Sequence, residues 1–104
     1  MDQATWHRVG DAEMLPDGLV MTVYAGDKAI CLVRFEGRYY ALDNTCPHKK
    51  GSLGEGYLED GCVVCPVHGW QFSPFDGSLP AYYLEPPTTT YPVEQRAGGV
   101  YVRC

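Results

Sequence analysis

Two short stretches of the chain carry the residue types that bind transition metals: Cys46-Pro47-His48 and, after a gap of sixteen residues, Cys65-Pro66-Val67-His68. Two thiolates and two imidazoles recur in the same order, Cys then His. A binuclear iron-sulfur centre with mixed ligands needs this set, because two cysteines hold one iron and two histidines the other. Bridging sulfides keep the irons close together, so a gap of one or two residues between Cys and His lets each loop serve both metals. The same four residues suit a single tetrahedral zinc in composition. Zinc sites usually space paired ligands by two to four residues, so the one-residue gap of Cys46-Pro47-His48 fits zinc poorly.

Glycines crowd both stretches, at Gly51, Gly54, Gly56 and Gly69. Glycine allows close backbone approach, so their amides could point at sulfur and stabilise a reduced cluster; the competing reading is tight turns alone. Pro47 and Pro66 stiffen the two loops. Cys62-Val63-Val64-Cys65 spells a C-x-x-C redox pair, but positions three apart on a strand face opposite ways, so Cys62 is expected to be a packed or edge thiol. Cys31 lies in an apolar run and is expected in the core, Cys104 is terminal, and His7 reads as an ordinary surface histidine. Lys49-Lys50 beside His48, like Glu55, Glu59 and Asp60, fits either a solvated loop or a docking rim.

The elements that must position these loops are strands. Turn signals recur at Pro16-Asp17-Gly18, Gly26-Asp27, Glu36-Gly37, Asp60-Gly61, Asp76-Gly77 and Gly98-Gly99, a rhythm that predicts an all-β domain. Strands are expected over 5–9, 19–24, 29–35, 39–42, 62–65, 90–94 and 100–102, where β-branched and aromatic residues concentrate. A single helical turn is expected over 11–15, capped by Asp11 and closed by Pro16. Residues from about 45 to 80 are denser in Pro and Gly and read as a small metal-binding subdomain inserted in the β scaffold. The Pro86-Pro87 stretch reads as a stiff connection back to the last hairpin.

With 104 residues, 45% of them hydrophobic, the chain is expected to form one domain spanning 1–104. Its formal charge of -5 has the wrong sign for gripping nucleic acid or anionic lipid. No apolar run approaches the length of a spanning helix and Met1 to Trp6 lacks signal-peptide character, so a cytoplasmic location is expected. Five cysteines cannot all pair within the chain, which favours metal binding over a disulfide framework.

Cys46-Pro47-His48, Gly54-Glu55-Gly56 and Cys65-Pro66-Val67-His68-Gly69-Trp70, followed by Phe72, Asp76-Gly77 and Tyr91-Pro92-Val93, resemble in order the Rieske family, and within it the small soluble ferredoxins that serve oxygenases. The resemblance covers nearly the whole chain. It implies a Rieske-type fold of stacked antiparallel β-sheets with an inserted rubredoxin-like cluster-binding subdomain, and one 2Fe-2S cluster per chain. Cys46 and Cys65 would ligate the buried iron, His48 and His68 the exposed one. Leu79-Pro80-Ala81 occupies the place of the family's cluster-shielding loop. High-potential members carry a disulfide where this chain has Gly51 and Val67, and hydroxyl donors where it has Trp70 and Phe72. Those departures imply a potential nearer the lower end of the Rieske range, about -150 to +300 mV.

The implied role is a one-electron carrier between a flavin-dependent ferredoxin reductase and a terminal oxygenase of the ring-hydroxylating dioxygenase type, docking transiently on each. The oxidised cluster with its two thiolates is neutral, so the protein's surface charge barely changes with redox state. No catalytic residue is expected, since a fully ligated cluster leaves no open metal position and no nucleophile-base constellation appears elsewhere. Two alternatives remain at this point: a Rieske-type small subunit of an assimilatory nitrite reductase, and a zinc-stabilised interaction module.

Overall fold

The computed structural model describes residues 5–45, 51–67, 69–79 and 88–104. Among these, strands β1 (Trp6–Asp11), β2 (Val20–Ala25), β3 (Lys28–Phe35), β4 (Arg38–Asp43), β5 (Tyr57–Glu59), β6 (Cys62–Val64), β7 (Gln71–Phe72), β8 (Thr90–Tyr91), β9 (Val93–Arg96) and β10 (Gly99–Arg103) alternate with turns and one 3-10 turn at Leu53–Glu55. They form three antiparallel sheets, ordered β1-β10-β9, β2-β3-β4-β8 and β5-β6-β7. This is the all-β domain predicted by the turn rhythm, in the antiparallel sheets that the resemblance implied.

The middle sheet is covered on both faces, which explains why β3 reads as an unbroken apolar run rather than an alternating one. Its Ile30 and Leu32 join Val100 and Val102 of the first sheet in one core, together with Tyr39 and Ala41. The intervening Cys31 and Val33, with Leu42 of β4, pack instead with Leu53, Val63, Cys65 and Phe72 from the segment between β4 and β8. Ile30, Cys31, Leu32 and Val33 are all fully buried, each aliphatic member contributing about 1.5–3 kcal/mol. Leu53 and the small sheet β5-β6-β7 therefore lie against the second face of the middle sheet through an apolar layer.

Hairpin chemistry sets the register. Two-residue turns at Glu36-Gly37, Asp60-Gly61 and Ala97-Gly98 join β3 to β4, β5 to β6 and β9 to β10, with both residues of each at positive φ. Such turns match the right-handed twist of the strands they connect. The last turn sits one residue earlier than the Gly98-Gly99 expectation, because Gly99 already pairs with Arg96 as the first residue of β10.

Three other expectations are corrected. No helix forms over 11–15: Asp11 stays in β1 paired with Gly99, the Ala12 amide donates to Gly98 O at 2.8 Å, and only a turn from Met14 N–H to Asp11 O follows. Five residues offer too few helical bonds to offset the cost of nucleation. The single strand expected over 90–94 is two strands in different sheets, since β8 pairs with β4 whereas β9 pairs with β10. Pro92 between them has no N–H to extend a ladder, and its carbonyl accepts from Arg103 at 3.0 Å. Finally, β5 and β7 were not anticipated; at three and two residues they are too short to display a period.

Candidate metal centre

Both ligand loops are closed by backbone pairing at their bases. The ladder pair Val64–Gln71 encloses residues 65–70. Inside it the Cys65 amide donates to Trp70 O at 2.8 Å, and the Gly69 amide to Cys65 O at 2.9 Å, with Gly69 at φ 77°. The bridge Thr45–Ser52 encloses residues 46–51 in the same way, supported by Thr45 N–H to Asp43 Oδ1 at 3.1 Å and Leu53 N–H to Asn44 O at 2.7 Å. Each six-residue loop thus begins with one of the predicted cysteine ligands. Cys46, Pro47, His48, Lys49, Lys50, His68, Pro80 and Ala81 lie outside the described residues. Leu79, at the start of the predicted shielding loop, packs against the core that contains Cys65.

Cys65 is completely buried. The residue that ends the first loop, Gly51, is buried against it: a Cβ at Gly51 would overlap Val67 Cγ2 and stand 3.1 Å from Cys65 Sγ and 3.3 Å from Val67 Cβ. The end of the first loop therefore touches the start of the second. Gly51 and Val67, the positions where the resemblance puts a disulfide in high-potential relatives, are neighbours here, since a Cβ at Gly51 would overlap Val67. A fully buried thiol beside a glycine, where any side chain would press on its sulfur, fits the predicted role of Cys65 as a cluster ligand.

The other glycines serve the protein rather than a cluster. Gly54 N–H donates to Asn44 Oδ1 at 2.8 Å, Gly56 N–H to Leu53 O at 3.0 Å, and Gly69 N–H to Cys65 O. For these three the tight-turn reading holds. A Cβ on Gly56 would run into the Val64 carbonyl oxygen, and backbone there cannot swing aside. Gly56→Ala is expected to lower stability by about 1–3 kcal/mol, measured as a fall in denaturation midpoint of the holo-protein.

The remaining cysteines are spectators. Burial among Val33, Leu42, Leu53 and Phe72 pushes the Cys31 thiol up to about 12, so it stays protonated and unreactive, the core role its apolar run implied. Cys62 is half-buried, and burial first, then the Asp60 carboxylate, raises its thiol as well. Cys62 stands in β6 half-exposed while Cys65 is enclosed, so the C-x-x-C spelling describes no disulfide. In the native protein an alkylating reagent is expected to leave Cys31 unmodified near neutral pH and to label it only after denaturation, as mass spectrometry of digested samples would show. His7 is half-buried rather than on the open surface, its Cε1 standing 3.4 Å from a Cβ at Gly26.

One polar residue of the site was not anticipated. Asn44 is buried, at 6% exposure, two positions before Cys46, and its side-chain oxygen accepts from Gly54 N–H and, at 3.3 Å, from Thr22 Oγ1. Its sequence signal was slight: one amide side chain at the junction of a strand and a ligand loop.

Three antiparallel sheets bring Gly51, at the end of one predicted ligand segment, beside Cys65, at the start of the other. Residues 5–92 match the model of the Rieske [2Fe-2S] domain, and the chain belongs to that family. Its cofactor is a Rieske-type 2Fe-2S cluster, which takes up and gives back one electron. The chain is similar to the 3-phenylpropionate/cinnamic acid dioxygenase ferredoxin subunit of Photorhabdus laumondii, at 38% identity over 92 residues covering 86% of each chain. Among solved structures it is similar to a chain in the complex of reduced oxygenase and oxidized ferredoxin in carbazole 1,9a-dioxygenase, with TM-score 0.83, 31% identity, 93% of this chain and 91% of that one covered. A putative NADH-dependent nitrite reductase small subunit from Mycobacterium tuberculosis superposes with TM-score 0.87 over 99% of this chain and 97% of that one, at 22% identity. At that identity the likeness is one of fold alone.

Proposed function

We propose that this chain, taken whole as one Rieske domain over 1–104 with its cluster subdomain at about 45–80, is the ferredoxin component of a ring-hydroxylating oxygenase system. It is a one-electron carrier and not the catalytic component. Cys46 and Cys65 hold the inner iron of the cluster, and His48 and His68 the outer one. The observation that carries this reading is the approach of Gly51 to Cys65, where an added Cβ would stand 3.1 Å from Sγ, so that the end of the Cys46-His48 segment lies beside the start of the Cys65-His68 segment. The similarity to dioxygenase ferredoxin subunits along most of the chain supports the same role. A flavin-dependent ferredoxin reductase supplies the electron and a terminal oxygenase accepts it, in the cytoplasm, where the thiols stay reduced. Among the described residues no helix is long and apolar enough to cross a membrane.

Val67, 56% exposed between two ligand positions, suits brief docking, and the formal charge of -5 suits contacts that weaken with salt. The nitrite reductase reading rests on fold similarity and stands second. The test is stopped-flow reduction by NADH through a ferredoxin reductase from a ring-hydroxylating system, followed by oxidation on adding the matching oxygenase and substrate. Saturable reduction that slows with salt is expected. Reduction no faster with the reductase than without it, together with co-purification on a large sirohaem protein, would instead establish the fixed-subunit reading.

A further inference from the structure

We infer that Asn44 is a positioning residue for the first ligand loop, fixing both ends of residues 46–51 against the middle sheet and thereby setting how firmly the cluster is held. This rests on the assignment of Cys46 and His48 as ligands. Asn44 makes four bonds to three separate elements. Its amide N–H donates to Ala29 O at 3.4 Å and its carbonyl accepts from Leu53 N–H at 2.7 Å; its Oδ1 accepts from Gly54 N–H at 2.8 Å and from the Thr22 hydroxyl at 3.3 Å. Ala29 and Thr22 belong to the paired strands β3 and β2, while Leu53 and Gly54 lie in the 3-10 turn that follows the loop. The side chain therefore clasps the segment entering the loop to the segment leaving it, and both to the scaffold.

The fit leaves no slack. A Cβ on Gly54 would overlap Thr22 Oγ1 and stand 2.7 Å from Asn44 Oδ1 and 2.8 Å from the Thr22 backbone nitrogen. An amide side chain suits the position because it accepts two hydrogen bonds without burying a charge. Only its oxygen can face the Gly54 N–H, which fixes its orientation. The Thr22 bond is long for a hydroxyl donor and hence the weaker of the two.

The test uses the holo-protein and variants Asn44→Ala, Asn44→Asp and Thr22→Val, reading iron release to an excess of chelator and the EPR g-values of the reduced sample. Partners that orient metal ligands from outside the ligand set typically change metal retention about 10- to 100-fold when removed. Asn44→Ala is expected to release iron faster by that factor with displaced g-values, and Asn44→Asp, which keeps the acceptor, to restore the native g-values. Thr22→Val is expected to change both in the same direction but less. Native release rate and g-values in Asn44→Ala, even with a lowered melting temperature, would reduce Asn44 to a merely structural role and overturn the inference. If Asn44→Ala does not fold, native behaviour of Thr22→Val overturns it in the same way. Failure of the underlying assignment is distinguishable, since the unsubstituted protein would then lack iron and sulfide.

Discussion

Cys65→Ala is expected to abolish the visible absorption of the cluster and the iron content of the purified protein. The thiol is completely enclosed at the end of β6, in the core built by Cys31, Val33, Leu42, Leu53, Val63 and Phe72. On the proposed ligand set, its loss removes one of two thiolates from an iron. Gly51 beside it offers no donor, and Cys31 is held protonated by burial. Because metal binding free energy is also folding free energy, the variant should melt at a lower temperature than the native holo-protein. The control is Cys31→Ala, equally buried in the same core. It removes one sulfur and should cost on the order of 1 kcal/mol, the scale of deleting one methyl-sized group, while retaining full iron. Full iron in Cys65→Ala, or iron loss in Cys31→Ala alone, would exchange the roles assigned to the two thiols.

The second large effect concerns the midpoint potential, expected near the lower end of the Rieske range of about -150 to +300 mV. Hydrogen bonds to cluster sulfur stabilise the reduced, more negative form and raise the potential. Here the amides best placed by sequence are already committed: Gly54 to Asn44, Gly56 to Leu53, Gly69 to Cys65, and Cys65 itself to Trp70. Phe72 is fully buried and has no hydroxyl to donate, and Gly51 and Val67 meet without a disulfide. Protein-film voltammetry of the purified protein measures the quantity directly. A midpoint above about +150 mV would show that donors not identified in this fold reach the cluster.

Much of this could be read before any coordinates, and the reasons are physical. Ligand spacing is a strong signal because two irons a few ångströms apart impose it. Hairpins announce themselves where a turn needs positive φ and glycine supplies it, as at Glu36-Gly37 and Asp60-Gly61. Cys31 was recognisable as core from the apolar run around it. What escaped detection depends on pairing at a distance. The division of residues 90–94 between two sheets follows from partners some fifty residues away in β4 and next door in β10. The amide of Gly54 is claimed by Asn44, ten positions earlier, and the tightness of Gly51 comes from Cys65 and Val67. A short turn over 11–15 looked helical in isolation, yet the sheet took its first amide.

The most direct measurement is the metal and sulfide content of protein purified anaerobically, with the EPR spectrum of a dithionite-reduced sample. Two irons and two acid-labile sulfides per chain, with the low average g-value of mixed histidine and cysteine ligation, are expected. One zinc without sulfide, in protein never reconstituted, would make Cys46, His48, Cys65 and His68 a structural clasp and contradict the electron-carrying role.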